Sequence, residues 1–166
     1  MKIYAGIDLG KQGGVAILSP DFPNPILQVM PTVGNEIDYQ SLCKILRDCK
    51  IRSCHVVFER LQATPMVPKH TCISMGWQAG ALEGLCVALQ IPYTMLSPKT
   101  WQKSMFLGTP EMKKADGKND TKGRALITAK RLYPEQTFLM TEKSTVPHNG
   151  VIDALLMARY AQQQNL

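Results

Sequence analysis

The sequence predicts an α/β domain with a mixed sheet, an antiparallel meander first and then strands joined by helical crossovers. Three observations carry this. Residues 2–10 and 15–18 are apolar runs on either side of Lys11-Gln12-Gly13-Gly14, the pattern of a β-hairpin in a buried sheet. Two later short apolar runs, 54–58 and 92–96, each follow a stretch of helical periodicity, which is how crossover strands are spaced. No repeat or linker interrupts the 166 residues, so 1–166 is expected to be a single domain.

Taken in order, residues 19–25 are a proline-rich connection and 26–30 a third strand ended by Pro31. Asp38 is placed to cap a helix over 39–50, whose Leu42, Ile45, Leu46 and Cys49 share one face. The strand 54–58 closes on Glu59, and 60–68, with Pro65 and Pro68, is irregular. A long helix spans 71–89, with Gly76, Gly80 and Gly84 recurring every four residues as a smooth face for close packing. Trp77, set among small residues, reads as core. After the strand 92–96, Ser97-Pro98 opens a short helix through Trp101. Residues 108–123 are a polar, basic, mobile loop. Helices follow over 121–133, stopped by Pro134, and over 149–163.

Composition narrows the class. A hydrophobic share of 45% with 19% charged residues is that of a globular protein. No apolar run approaches the roughly 18 residues that span a bilayer, and Asp8 interrupts what would be a signal peptide's apolar region. A cytoplasmic location without membrane attachment is expected. Cys43, Cys49, Cys54, Cys72 and Cys86 form no C-x-x-C pair and are odd in number, which argues for reduced thiols over a disulfide framework or a thiolate zinc site. The net charge of +6 suits an anionic partner, nucleic acid being the commonest. The excess is concentrated. Lys99, Lys103, Lys113, Lys114, Lys118, Lys122, Arg124, Lys130 and Arg131 stand against only Glu111, Asp116 and Asp120.

Three acids occupy places that suit a carboxylate badly. Asp8 lies in the first strand, Glu59 ends the strand 54–58, and Asp153 sits in the last helix between Ile152 and Ala154-Leu155-Leu156. Alone, each would read as a solvent-facing acid, an ion pair or a cap. Together, if the strands are neighbours and the helix packs on them, they converge. Converging carboxylates repel unless cations lie between them. Oxygen ligands with positions left for water suit Mg²⁺ or Mn²⁺, and two such ions about 4 Å apart clamp an in-line attack on a phosphodiester.

Strand-Asp-turn-strand, a later strand ending in Glu and a last helix bearing Asp-Ala-Leu resemble the RuvC family of Holliday junction resolvases, within the ribonuclease H-like superfamily. Phage-type members are resembled most. The stretches that carry this are Gly6-Ile7-Asp8 with Gly13-Gly14-Val15-Ala16, Phe58-Glu59-Arg60, residues 76–84 and Ile91-Pro92-Tyr93. Pro98-Lys99-Thr100-Trp101-Gln102-Lys103 and His148-Asn149-Gly150 with Asp153-Ala154-Leu155 complete the ordered set. The resemblance implies a ribonuclease H-like fold and a Mg²⁺-dependent endonuclease with two ions per site, Mn²⁺ being a possible substitute. It implies a homodimer that nicks opposed strands of four-way or branched DNA symmetrically, leaving 5′-phosphate and 3′-hydroxyl ends, and a phage-encoded protein acting in the host cytoplasm.

By the same resemblance Asp8, Glu59 and Asp153 match the catalytic, metal-binding acids. His148 is the candidate for the fourth metal-binding position, with Asn149 beside it. Lys11, Arg60, Lys99, Lys103, Lys113, Lys114, Lys118, Lys122 and Arg124 are the candidate DNA contacts. Some cellular members carry an aromatic residue three positions after the glutamate; here that residue is Gln62, so either Leu61 or Met66 serves as an apolar wedge or there is none. Trp101 between Lys99 and Lys103 reads either as a stacking surface or as a core anchor. The opening Gly6-Ile7-Asp8-Leu9-Gly10 also resembles the first phosphate motif of actin-like ATPases, but a second such domain and hairpin are missing from the sequence. A ribonuclease H-type or debranching nuclease would use the same acids, and a non-catalytic junction-binding protein would not need them.

Overall fold

The computed structural model describes residues 2–51, 53–60 and 67–166. β1 (Ile3–Asp8) and β2 (Gly14–Leu18) form the antiparallel hairpin, with Asp8 opposite Gly14. β3 (Ile26–Val29) adds to β2 at the sheet edge. A small second hairpin, β4 (Thr32–Val33) with β5 (Glu36–Ile37), adds to the expected elements; Gly34, at φ +61°, makes its turn. α1 (Tyr39–Lys50) starts where Asp38 accepts the backbone N–H groups of Gln40 and Ser41 at 3.0 and 3.1 Å.

β6 (Cys54–Glu59) lies parallel to β1, and after α2 (Lys69–Ala88), β7 (Tyr93–Leu96) lies parallel to β6. The five strands run in the order β3-β2-β1-β6-β7. α3 (Pro98–Met105), α4 (Thr121–Leu132) and α5 (Asn149–Gln164) complete the chain. The expected mixed α/β sheet, meander first and crossovers after, is the observed one.

Alternation along the strands sends side chains to two cores. Ile3, Ala5, Ile7, Val56 and Phe58 pack with Leu42, Leu46, Leu82 and Cys86 of α1 and α2. Tyr4, Ala16, Val57 and Leu96 pack with Trp101, Ala129 and Leu155 of α3, α4 and α5. α5 lies so close to the hairpin that a Cβ on Gly6 would overlap the Ala154 carbonyl. One on Gly14 would come within 2.7 Å of the Val151 backbone, and one on Gly150 would overlap the Gln12 carbonyl.

Three expectations need correcting. Trp77 is not core: it is 75% exposed, because α2 buries the line of Leu82 and Cys86 and Trp77 lies off it. Among the described residues, no other element seats on Gly80 or Gly84; a Cβ on either would meet nothing within 4 Å. The loop expected over 108–123 ends at Asp120, where α4 takes over, and its backbone is tied by internal hydrogen bonds. Lys113 pairs with Asn119, Lys114 N–H donates to Lys118 at 2.8 Å, and Asp120 N–H donates to Met112 at 2.8 Å. The wedge candidates Leu61 and Met66, with Gln62, lie outside the described residues. Among the described residues no helix is long and apolar enough to cross a membrane, and the five cysteines are thiols.

Candidate active site

The side-chain period of a strand decides where the first two acids point. Asp8 shares a face with Tyr4 and Gly6, and Glu59 shares a face with Val57, so both head toward the α5 side of the sheet. The parallel register that pairs Ile7 with Phe58 puts Asp8 and Glu59 at the next position of adjacent strands. α5 supplies Asp153 from above, one residue before the Ala154 carbonyl that rests on Gly6. All three acids are half-buried.

Their electrostatics follow from that placement. Burial, then the charges of Asp153 and Glu59, push Asp8 up to about 8, with Lys122 opposing. Burial and then Glu59 push Asp153 up to about 7, again against Lys122. Burial also raises Glu59, but less freely, because Trp101 Nε1–H donates to its Oε1 at 2.9 Å. The cluster is short of positive charge, and a proton or a cation relieves it.

Two cavities meet at Asp8. One, of about 240 Å³, is lined by Asp8, Glu59, Arg60, Gln78 and Pro98 among others. The other, of about 520 Å³, is lined by Asp8, Gln12, Lys122, His148, Asn149 and Asp153 among others. Asp8 therefore stands between Glu59 and Asp153. Among the described residues no three His, Cys, Asp or Glu side chains gather closely enough to enclose one ion. Mg²⁺ does not require that: it keeps several waters and binds through one or two carboxylates plus substrate oxygens. The all-oxygen donor pairs on each side of Asp8, unneutralised and half-buried, fit such an ion.

His148 caps α5: its Nδ1 accepts the Val151 N–H at 3.3 Å. With that lone pair engaged, a neutral imidazole carries its proton on Nε2 and offers the cavity a donor. To ligate a metal through Nε2 the ring would have to give up the cap and change tautomer.

No family model matches the chain, and neither does any curated protein. Solved structures do. RuvC from Thermus thermophilus in complex with a Holliday junction substrate superposes with a TM-score of 0.61 at 15% identity, covering 99% of this chain and 96% of that one. A second Thermus thermophilus RuvC structure gives a TM-score of 0.59 at 16% identity over 98% and 96%. The chain has the RuvC fold.

Within this RuvC fold the basic residues take several places. Lys122 faces the Asp8–Asp153 cavity and Arg60 the Asp8–Glu59 cavity. Lys11 is exposed in the β1–β2 turn. Lys99 and Lys103 of α3 line a third cavity, of about 350 Å³, closed on its far side by the 108–120 turn. Lys113 and Lys114 are exposed on that turn, Lys113 bonded to Asn119; Lys118 there pairs with Asp116 at 3.3 Å in open solvent. Arg124 is committed inside the fold. It donates to the carbonyls of Thr109 at 2.8 Å and Phe106 at 3.3 Å, and lies 5.0 Å over the Phe106 ring. Trp101 is not a stacking surface: it is wholly buried.

Sequence reasoning missed the Trp101–Glu59 hydrogen bond and placed Lys122 only among surface contacts. A usable signal existed for the first, since Trp101 lies in the first turns of the helix that leaves β7, the strand beside the one ending in Glu59.

Proposed function

We propose that the protein is a metal-dependent endodeoxyribonuclease that resolves four-way DNA junctions by paired symmetric nicks. The observation that carries this reading is the placement of Asp8 between Glu59 and Asp153, on two cavities, inside a RuvC fold. Asp8 with Glu59 would hold one Mg²⁺, and Asp8 with Asp153 a second. When bound, such ions supply Lewis-acid charge and an activated water for in-line attack on the phosphodiester. The chain's own groups do the rest. Lys122 offsets charge on the attacked phosphate. His148 Nε2–H donates a hydrogen bond at the mouth of the same cavity, as long as Nδ1 keeps the cap. Arg60, Lys11, Lys99, Lys103, Lys113, Lys114 and Lys118 are the phosphate contacts that set the DNA in place; Arg124 acts indirectly, by holding the basic turn against α3.

Two opposed nicks need two sites related by a two-fold axis, so the 1–166 domain works as a homodimer. α2 supports this. Ile73, Trp77 and Val87 are exposed there at 73%, 75% and 62%, and with Gly80 and Gly84 they fall at alternating spacings of four and three. That is the period of a helix-to-helix seam, and its glycines permit close approach. The resemblance of the sequence to phage-type members supplies the setting, a phage protein at work in the host cytoplasm.

The test is incubation with a synthetic four-way junction, a linear duplex and an RNA–DNA hybrid, with and without Mg²⁺. Paired nicks in the junction alone, only with Mg²⁺, are expected. Preferential cleavage of the hybrid would replace this reading with a ribonuclease H-type one, and tight junction binding without cleavage at any Mg²⁺ or Mn²⁺ concentration would make the protein a non-catalytic binder.

A further inference from the structure

Glu59 differs from the other two acids. Asp8 and Asp153 accept no side-chain hydrogen bond among the described residues, whereas one oxygen of Glu59 is held by the Trp101 indole at 2.9 Å. The indole N–H is a donor only and rotates with a large, fully buried ring. That ring is fixed by its edge-to-face contact with Phe106, centroids 6.0 Å apart, and by the core of α3, α4 and α5. β6 and β7 are further tied by Arg60 N–H donating to Leu96 at 2.8 Å, just before α3 starts. Glutamate has one more rotatable bond than aspartate and needs an external constraint to present its carboxylate in one direction.

We propose that Trp101 is a positioning residue for Glu59: its indole holds one carboxylate oxygen, and the other is thereby left directed for a divalent cation. This rests on the nuclease reading above, which names the cation. A purely structural account is also simple, because a buried indole N–H needs some acceptor and Glu59 is within reach. The two accounts differ in what Trp101→Phe does, since phenylalanine keeps an aromatic ring in the core and removes the donor.

The decisive measurement is Mn²⁺ binding to the DNA-free protein by electron paramagnetic resonance, for wild type, Trp101→Phe, Glu59→Gln and the double variant. Trp101→Phe is expected to weaken Mn²⁺ binding about 10-fold, the usual effect of removing a group that orients a metal ligand. The double variant is expected to bind no more weakly than Glu59→Gln, because the indole acts through that carboxylate. In junction cleavage, Trp101→Phe should raise the Mg²⁺ concentration for half-maximal rate by a similar factor and recover most of its rate at saturation. Unchanged Mn²⁺ affinity in Trp101→Phe overturns the proposal, and so do additive losses in the double variant, which would mean action through packing. A second readout needs no substitution. The Trp101 indole N–H resonance of the wild type should shift as Mg²⁺ is added while that of exposed Trp77 stays still; a stationary Trp101 signal at saturating Mg²⁺ also overturns it. Wild-type protein that binds no Mn²⁺ overturns the nuclease reading along with this one, whereas wild-type binding with an unaltered Trp101→Phe overturns this one alone.

Discussion

α5 and α2 are the two longest helices, of 16 and 20 residues, and both are rich in apolar and small side chains. Their fates differ. α5 buries nine residues, among them Gly150, Val151 and Ala154, and rests on β1 and β2 almost backbone to backbone. α2 buries only Leu82 and Cys86 and turns Ile73, Trp77 and Val87 to solvent. Apolar content therefore says that a helix face will be covered, not by what. In α5 the small residues admit the sheet; in α2 the same residue type faces outward, with none of the described residues against it at Gly80 and Gly84.

In the proposed function chemistry belongs to the α5 side and assembly to α2, and the two can be broken separately. The largest effect is expected from Asp8→Asn or Asp153→Asn. Either should lower junction cleavage by about three orders of magnitude or more while junction affinity and dimerisation persist; equal loss of binding in a gel-shift assay would make these acids structural. Next comes Gly6→Ala, whose Cβ would strike the Ala154 carbonyl. It should cost about 3 kcal/mol of stability in chemical denaturation. Gly80→Ala on α2 meets empty space and should stabilise the monomer by about 0.5–1 kcal/mol. Similar values for the two glycines would erase the contrast between the helices.

Trp77→Glu should weaken the dimer by about 2 kcal/mol, roughly 30-fold, as expected for an aromatic anchor. Its monomer should melt as the wild type does, since the residue is exposed. Sedimentation that stays dimeric would put the interface elsewhere. A smaller effect should appear in the pH dependence of the metal-free protein. The fold raises Asp8 to about 8 and Asp153 to about 7, above the value near 4 of the unfolded chain, so the folded state binds protons more tightly. Their favourable contribution is complete below about pH 4 and is lost as pH rises through about 7 and 8. Melting temperature without divalent ions should thus fall from pH 5 to pH 8.5, and the slope should flatten in the doubly substituted Asp8→Asn, Asp153→Asn protein. The smallest effect is expected from neutralising Lys113, Lys114 and Lys118. Each phosphate left without its lysine should reduce the log–log salt slope of junction binding by about one unit.

What was legible in the sequence was local. Asp38 with the 39–50 periodicity defines α1, and the glycine-rich turn defines the hairpin, because caps and turns are decided by a few neighbouring residues. The strand-end position of Glu59 could be read the same way, whereas Asp8, read as lying inside the first strand, is the last residue of β1. Their adjacency could not be read, since it depends on β6 pairing in parallel with β1 across some 50 residues. Trp77 reads as core in the sequence and is exposed in the fold, because burial in α2 is settled by which face meets the sheet. A helix this uniformly apolar gives no such signal. β4 and β5, two residues each, are too short for any period to show. Lys122 reaches the acids only because α4 starts where it does, after a turn whose hydrogen bonds are set by folding.

The seating of α5 on bare backbone has one more consequence. At Gly6 no side chain acts as the spacer between the strand that carries Asp8 and the helix that carries Asp153; the Ala154 peptide group does. A peptide unit has the same thickness whatever residue it belongs to, so the gap is insensitive to the identity of most core residues. A randomised library selected for junction cleavage should therefore return varied sizes at Leu155 and Met157, within what stability allows, and glycine alone at positions 6, 14 and 150.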